Sequence, residues 1–177
     1  IMQDYDKGVL TPRIISEVIS ASERVSVPVL VDPKFRSFDL YRKVKLFKPN
    51  FKELITGLKL DLNKKEIEKI AEAVQRFQKK QQIEHLLVTL SDQGVITAVD
   101  GEYMHIPAIK RDITDVSGAG DTVIAVAALC QVAGFTSGEI AAICVQKMKT
   151  MRTGQGKFRA NICFNGIFVN ITLRNAC

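Results

Sequence analysis

Residue types and spacing that could do chemistry concentrate in the run Ser117-Gly118-Ala119-Gly120-Asp121. Residues this small let a backbone come close to a ligand. The apolar stretch from Thr122 to about Ala133 predicts a helix directly after them, with Gly134 as its C-terminal cap. The first N–H groups of a helix have no intrahelical partner, and its dipole favours an anion. The N–H groups of Gly118, Ala119 and Gly120 are therefore a candidate anion hole for phosphate oxygens, or for the charge of a transferring phosphoryl group. Asp121, at the mouth of that cradle, is a candidate base that takes the proton of a substrate hydroxyl. The same letters also suit a plain Gly-rich turn with Asp121 as a helix cap. They are neither a Walker A loop, since no Lys-Ser/Thr follows, nor a GxGxxG fingerprint.

Two further groups carry chemistry. Asn50 and Glu53 lie three apart, on one helical face, just after a predicted strand. Such a pair can organise phosphate oxygens and hold Mg²⁺ through water, or it can be a helix cap with a first-turn acid. Thr89-Leu90-Ser91-Asp92-Gln93-Gly94 is a strand end followed by a polar turn. Thr89, Ser91 and Gly94 could line a nucleotide at the C-terminal ends of parallel strands, with an ordinary turn as the alternative.

The elements that must position these residues follow from pattern. Thr11-Pro12 opens a predicted helix to about residue 24, with Ile14, Ile15, Val18 and Ile19 on one face. The apolar run Val27–Val31 predicts a buried strand ending at Asp32-Pro33, and a second strand is expected near Lys45–Phe47. A short helix from about Asn50 to Thr56 and a long one over 63–81, capped by Asn63 with Glu66, come next. Leu86–Leu90 is another buried strand, and Asp100-Gly101 marks a hairpin between Gly94–Val99 and Glu102–Ile106. Thr136 or Ser137 caps a last helix starting near Gly138. Strands alternating with helices predict parallel βαβ units and an α/β layered domain.

The chain has 177 residues, 46% apolar and 25% charged, a composition that excludes wholesale disorder and a membrane bundle. No stretch is apolar for the length of a membrane span, and the first residues carry no signal pattern, so a cytoplasmic protein without a membrane partner is expected. Cys130, Cys144, Cys163 and Cys177 form no CxxC pair and only two His are present, which argues against a zinc site and for reduced thiols. The net charge of +6 is confined to the end: residues 147–177 hold Lys147, Lys149, Arg152, Lys157, Arg159 and Arg174 with no acid. A nucleic-acid-binding domain would spread such charge over a face, so no nucleic-acid partner is expected. The break divides the expected domains into 1–146 and an atypical basic tail, 147–177, whose composition fits a foreign or frameshifted origin, with a genuine basic arm as the alternative.

Together the motifs resemble the ribokinase-like (PfkB) carbohydrate kinases. Asp115-Val116-Ser117-Gly118-Ala119-Gly120-Asp121 is similar to their D-T-x-G-A-G-D signature, with Val116 in place of Thr, and Asn50-x-x-Glu53 to their N-x-x-E motif. Within the family, Gln3–Thr11, Val31–Lys34, Lys48-Pro49-Asn50 with Glu53, and Val88–Gly94 look most like the heptose 7-phosphate kinase domain of bacterial ADP-heptose synthesis. The resemblance implies a three-layer fold with a mostly parallel sheet, incomplete here because residue 1 matches mid-domain, so the N-terminal strands and sugar lid are absent. It implies ATP as co-substrate, Mg²⁺, and a sugar phosphate as acceptor, with a homodimer among the arrangements it allows.

By the same resemblance Asp121 is the catalytic base and the N–H groups of Gly118, Ala119 and Gly120 the anion hole. Asn50 and Glu53 organise the ATP phosphates and Mg²⁺, and Thr89, Ser91 and Gly94 form a nucleotide-side loop. Asp115 stands where some members bind a monovalent cation. Lys34 could meet a phosphate or be a solvated lysine. The expected reaction phosphorylates the anomeric hydroxyl of heptose 7-phosphate. A relative acting on ribose, fructose or a nucleoside, and an inactive nucleotide-binding remnant, are the alternatives.

Overall fold

The computed structural model describes residues 1–108, 119–152, 157–164 and 167–174, with side chains for 1–108 and 120–145. The chain divides into two compact units, Ile1–Ala108 and Ile109–Cys177.

The first unit is built on a six-stranded sheet whose strands lie side by side in chain order: β1 (Met2–Gln3), β2 (Leu30–Asp32), β3 (Leu46–Phe47), β4 (His85–Thr89), β5 (Val95–Val99) and β6 (Glu102–Ile106). The pairings from β1 to β4 are parallel, with Met2 opposite Val31, Leu30 opposite Leu46, and Leu46 opposite His85. β4, β5 and β6 then run antiparallel. Asp100 and Gly101 turn the β5–β6 hairpin, both with positive φ, as the Asp-Gly pair predicts.

Helices α1 (Pro12–Arg24), α2 (Phe51–Gly57) and α3 (Ile67–Gln81) and a 3₁₀ helix (Phe35–Leu40) connect the parallel strands. Thr11 caps α1 by accepting a hydrogen bond from Ile14 N, with Pro12 at the first helical position. One core joins these elements. Ile15 and Ile19 of α1, Phe38, Phe47 of β3, Leu54 of α2, Ile70, Val74 and Phe77 of α3, and Leu86 and Val88 of β4 are buried together. Phe38 stands edge-on to Phe47 at 5.1 Å between ring centroids.

In the second unit α4 (Ala119–Val132) is followed by α5 (Ser137–Arg152) and an antiparallel hairpin of β7 (Lys157–Phe164) and β8 (Ile167–Arg174). Gly134, with positive φ, follows the end of α4. Thr136 caps α5 in a reciprocal arrangement: Glu139 N donates to Thr136 Oγ1, and Thr136 N to Glu139 Oε2. α5 runs unbroken through the composition break at residue 147. No helix among the described residues is long and apolar enough to cross a membrane.

Several expectations need correction. α1 buries Ile15 and Ile19, whereas Ile14 and Val18 are each 39% exposed. β2 begins only at Leu30, and Val27 is 56% exposed. The reason is the exit from α1: Ser26 takes positive φ, and Val27 N donates to Ser22 O, which ties this stretch to the helix end. α3 begins at Ile67, not at a cap formed by Asn63. Asn63 Oδ1 instead accepts from Lys65 N, while Glu66 Oε2 accepts from Asn63 N, closing a local turn that competes with the helix. α4 starts at Ala119 rather than Thr122, so Asp121 lies inside the first turn and is not the residue that caps it.

Candidate active site

β1, β2, β3 and β4 all point the same way, so their C-terminal ends and the loops that leave them share one edge of the sheet. Open parallel sheets bind ligands at that edge. Asn50 and Glu53 stand there because β3 runs through Lys48-Pro49 into α2. Asn50 Oδ1 accepts from Glu53 N at 2.9 Å, and Glu53 Oε2 accepts from Asn50 N at 2.9 Å. This reciprocal box starts the helix and fixes both side chains. The cap and the functional arrangement are thus the same set of atoms. Oδ1 is committed to the cap, so the Nδ2 amide of exposed Asn50 is its group left to donate to a ligand.

Thr89 ends β4 directly beside them. Asn50 and Thr89 form an isolated parallel bridge, and Thr89 N donates to Pro49 O at 3.1 Å. Ser91, with positive φ, opens a short 3₁₀ turn that Gly94 closes. Gly94 is fixed by its backbone: φ is +93°, and a Cβ would lie 2.0 Å from Ile106 O. Asn50, Glu53, Thr89, Ser91 and Gly94 are therefore brought together on one edge of the first unit.

The same edge carries charges that spacing did not single out. Glu53 is buried, and its Oε1 faces Lys34 Nζ at 2.5 Å. Lys34 is thus an ion-pair partner rather than a freely solvated lysine. Burial opposes the Lys34 charge, but the hydrogen bond and charge of Glu53, with Asp32 and Asp4, carry its pKa above the usual lysine value. Lys48, in the loop that leads to Asn50, meets Asp32 Oδ1 at 2.9 Å, with side chains 3% and 13% exposed. Burial raises the Asp32 carboxyl above its usual range, against the pull of the Lys48 ammonium. Asp4, just beyond β1, is buried and accepts from Tyr41 OH at 3.1 Å and from Asp6 N at 2.8 Å. Burial, then the charge and hydrogen bond of Asp4, raise the Tyr41 pKa. Sequence offered a signal for two of these groups: Asp32 ends the apolar run of β2, and Lys48 directly follows β3.

In the second unit Gly120 and Asp121 lie exposed in the first turn of α4, and Ala119 begins that helix. Gly118 and Asp115 lie outside the described residues. Apolar burial holds α4 and α5 in place through Val123, Ile124, Val126, Ala127, Ile140 and Ala141. Cys130 and Cys144 are buried, and Cys144 Sγ donates to Val123 O. Burial, with the charge of Glu139, pushes Cys130 up to about 11.

The mostly parallel sheet, with polar loops at its C-terminal edge and an Asn-x-x-Glu box at the mouth of a helix, has the architecture of the ribokinase-like fold class. Solved structures share the fold. A mutant of Escherichia coli phosphofructokinase-2 superposes with a TM-score of 0.77 at 17% identity, over 86% of this chain and 50% of that one. Arabidopsis thaliana ribokinase, complexed with ribose and ATP, superposes with a TM-score of 0.66 at 23% identity, over 81% and 47%. Residues 7–156 match the pfkB family carbohydrate kinase, and the chain belongs to that family.

Among curated relatives, the bifunctional protein HldE of Geotalea uraniireducens is 34% identical over 170 residues, covering 92% of this chain and 34% of that protein. HldE of Rhodopseudomonas palustris (strain HaA2) is 41% identical over 135 residues, covering 76% and 27%. The chain thus spans about a third of the length of the curated relatives it matches.

Proposed function

We propose that this chain is the nucleotide-side part of an ATP-dependent sugar kinase that phosphorylates the anomeric hydroxyl of heptose 7-phosphate. The observation that carries the proposal is the Asn50–Glu53 box beside Thr89 at the C-terminal edge of the sheet, in a chain whose relatives are HldE proteins.

Asn50 Nδ2 would donate to a phosphate oxygen of ATP, and the Thr89–Gly94 turn would line the nucleotide. Glu53 suits a hydrated divalent cation: it is a buried carboxylate whose Oε2 is held by the backbone and whose Oε1 already faces a cation, the Lys34 ammonium. Mg²⁺ usually binds through one or two carboxylates plus substrate phosphates, keeping several waters. Bound there, it would supply charge neutralisation of the phosphates. In the second unit the N–H groups of Gly118, Ala119 and Gly120 would face the transferring phosphoryl group at the start of α4. Asp121 would accept the proton of the sugar hydroxyl as the hydroxyl oxygen attacks the γ-phosphorus and ADP leaves. Asp115 is assigned a monovalent cation, and Ser91 and Gly94 a place against the nucleotide.

The test is Asp121→Asn in a kinase domain of full family length. The amide keeps the size of the side chain but cannot take a proton. ADP release with heptose 7-phosphate as acceptor should fall on the order of 10²–10⁴-fold, while ATP binding by titration stays within a few-fold of the parent. Turnover close to the parent value removes Asp121 from the mechanism. Turnover with ribose or fructose but not heptose 7-phosphate overturns the substrate assignment.

A further inference from the structure

Glu53 poses a physical problem. Its side chain is 8% exposed and its charge is not left bare: Lys34, sixteen residues before Asn50 in the loop after β2, reaches across to Oε1. Lys34 itself is only partly buried, with 36% of its side chain exposed, so it has room to swing away. On the same edge Asp32 already has its own cation, Lys48 at 2.9 Å, so Lys34 is the ammonium seated on Glu53.

We infer that Lys34 is a built-in stand-in cation: its ammonium occupies the cation seat of Glu53 when no divalent metal is bound, and loading of the metal–nucleotide complex displaces it. The inference rests on the assignment of Glu53 to the metal made above. Two consequences follow from charge balance. In the parent, ATP can approach without metal because Lys34 screens Glu53. Metal binding, in turn, loses part of its advantage because it must break the Lys34–Glu53 pair. Both effects reduce the dependence of nucleotide binding on metal. Lys34 acts here as a positioning residue through Glu53.

The experiment measures binding of the β,γ-imido analogue of ATP to the 177-residue chain by calorimetry, once with Mn²⁺ and once with EDTA. The readout is the ratio of the two dissociation constants. Lys34→Met should raise the metal dependence on the order of tenfold or more, since a charge-assisted hydrogen bond no longer competes. Lys34→Arg, which keeps the charge, should stay within about threefold of the parent. Glu53→Gln should lower the ratio in the parent background. An unchanged or smaller ratio in Lys34→Met, with Glu53→Gln still lowering it, overturns the stand-in role alone. A ratio indifferent to Glu53→Gln, or no binding in either condition, overturns the metal and nucleotide assignments and the stand-in role with them. Where circular dichroism shows Lys34→Met unfolded, Lys34→Gln is read in its place with the same expectation.

Discussion

Gly94 can be tested on geometry alone. Its φ of +93° and ψ of −133° lie where L side chains are strained. An added Cβ would stand 2.0 Å from Ile106 O, 2.6 Å from Ala108 N and 2.7 Å from Pro107 C, all backbone atoms that no rotamer change can move. The conformational part costs about 1–3 kcal/mol, and forcing a methyl group into occupied space adds about 1–3 kcal/mol. Gly94→Ala should therefore lose about 2–6 kcal/mol, a large share of a domain's usual stability of about 5–15 kcal/mol.

Gly101→Ala is the control. Gly101 also has positive φ, at +84°, but nothing lies within 4 Å of its Cβ position, so only the conformational part applies. Urea denaturation followed by far-UV circular dichroism compares the two variants with the parent. Gly94→Ala losing no more than Gly101→Ala would show that the close approach of the strand β6 exit to this turn is not what requires glycine. The turn's tightness would then need another cause.

Two predictions concern buried charge. His85 is buried with Nε2 2.6 Å from Thr97 Oγ1 and Nδ1 without a partner, and burial, helped by the Lys45 charge, lowers its pKa from 6.5 to about 4. Below pH 6.5 the unfolded chain takes up a proton that the folded chain refuses until about pH 4, so stability should fall across that window as pH drops, by at most about 3 kcal/mol. His85→Gln should flatten this part of the stability–pH curve, and an unchanged slope in urea melts would refute it. Lys48→Met leaves Asp32 without its buried partner, and should cost about 3 kcal/mol, the lower end for a broken buried pair because Asp32 is not fully enclosed. Adding Asp32→Leu should recover part of that loss, and a double variant no more stable than Lys48→Met would refute the pairing.

The local elements and the family were legible in the amino-acid order. Thr11-Pro12 starts α1, Asp100-Gly101 turns the β5–β6 hairpin, and Asn50-x-x-Glu53 caps α2, because each depends on atoms within a few residues. The hydrophobic runs located β2 to β4, since burial of apolar residues is legible in one dimension. What lay beyond reach were the contacts between distant segments. Lys34 meets Glu53 and Lys48 meets Asp32 because parallel strands bring their C-terminal ends to one edge, and nothing in the spacing of 19 or 16 residues encodes a pairing. Gly94 reads as a ligand-side residue by its letters, and only the folded chain adds that Ile106–Ala108 crowd its Cβ position and demand glycine there. Val27 reads as core, but the hydrogen bonds that close α1 hold it in solvent. Local hydrogen bonding and hydrophobicity act along the chain and can be read there. Charge pairing and steric exclusion act through space, so they are settled only once the chain has folded.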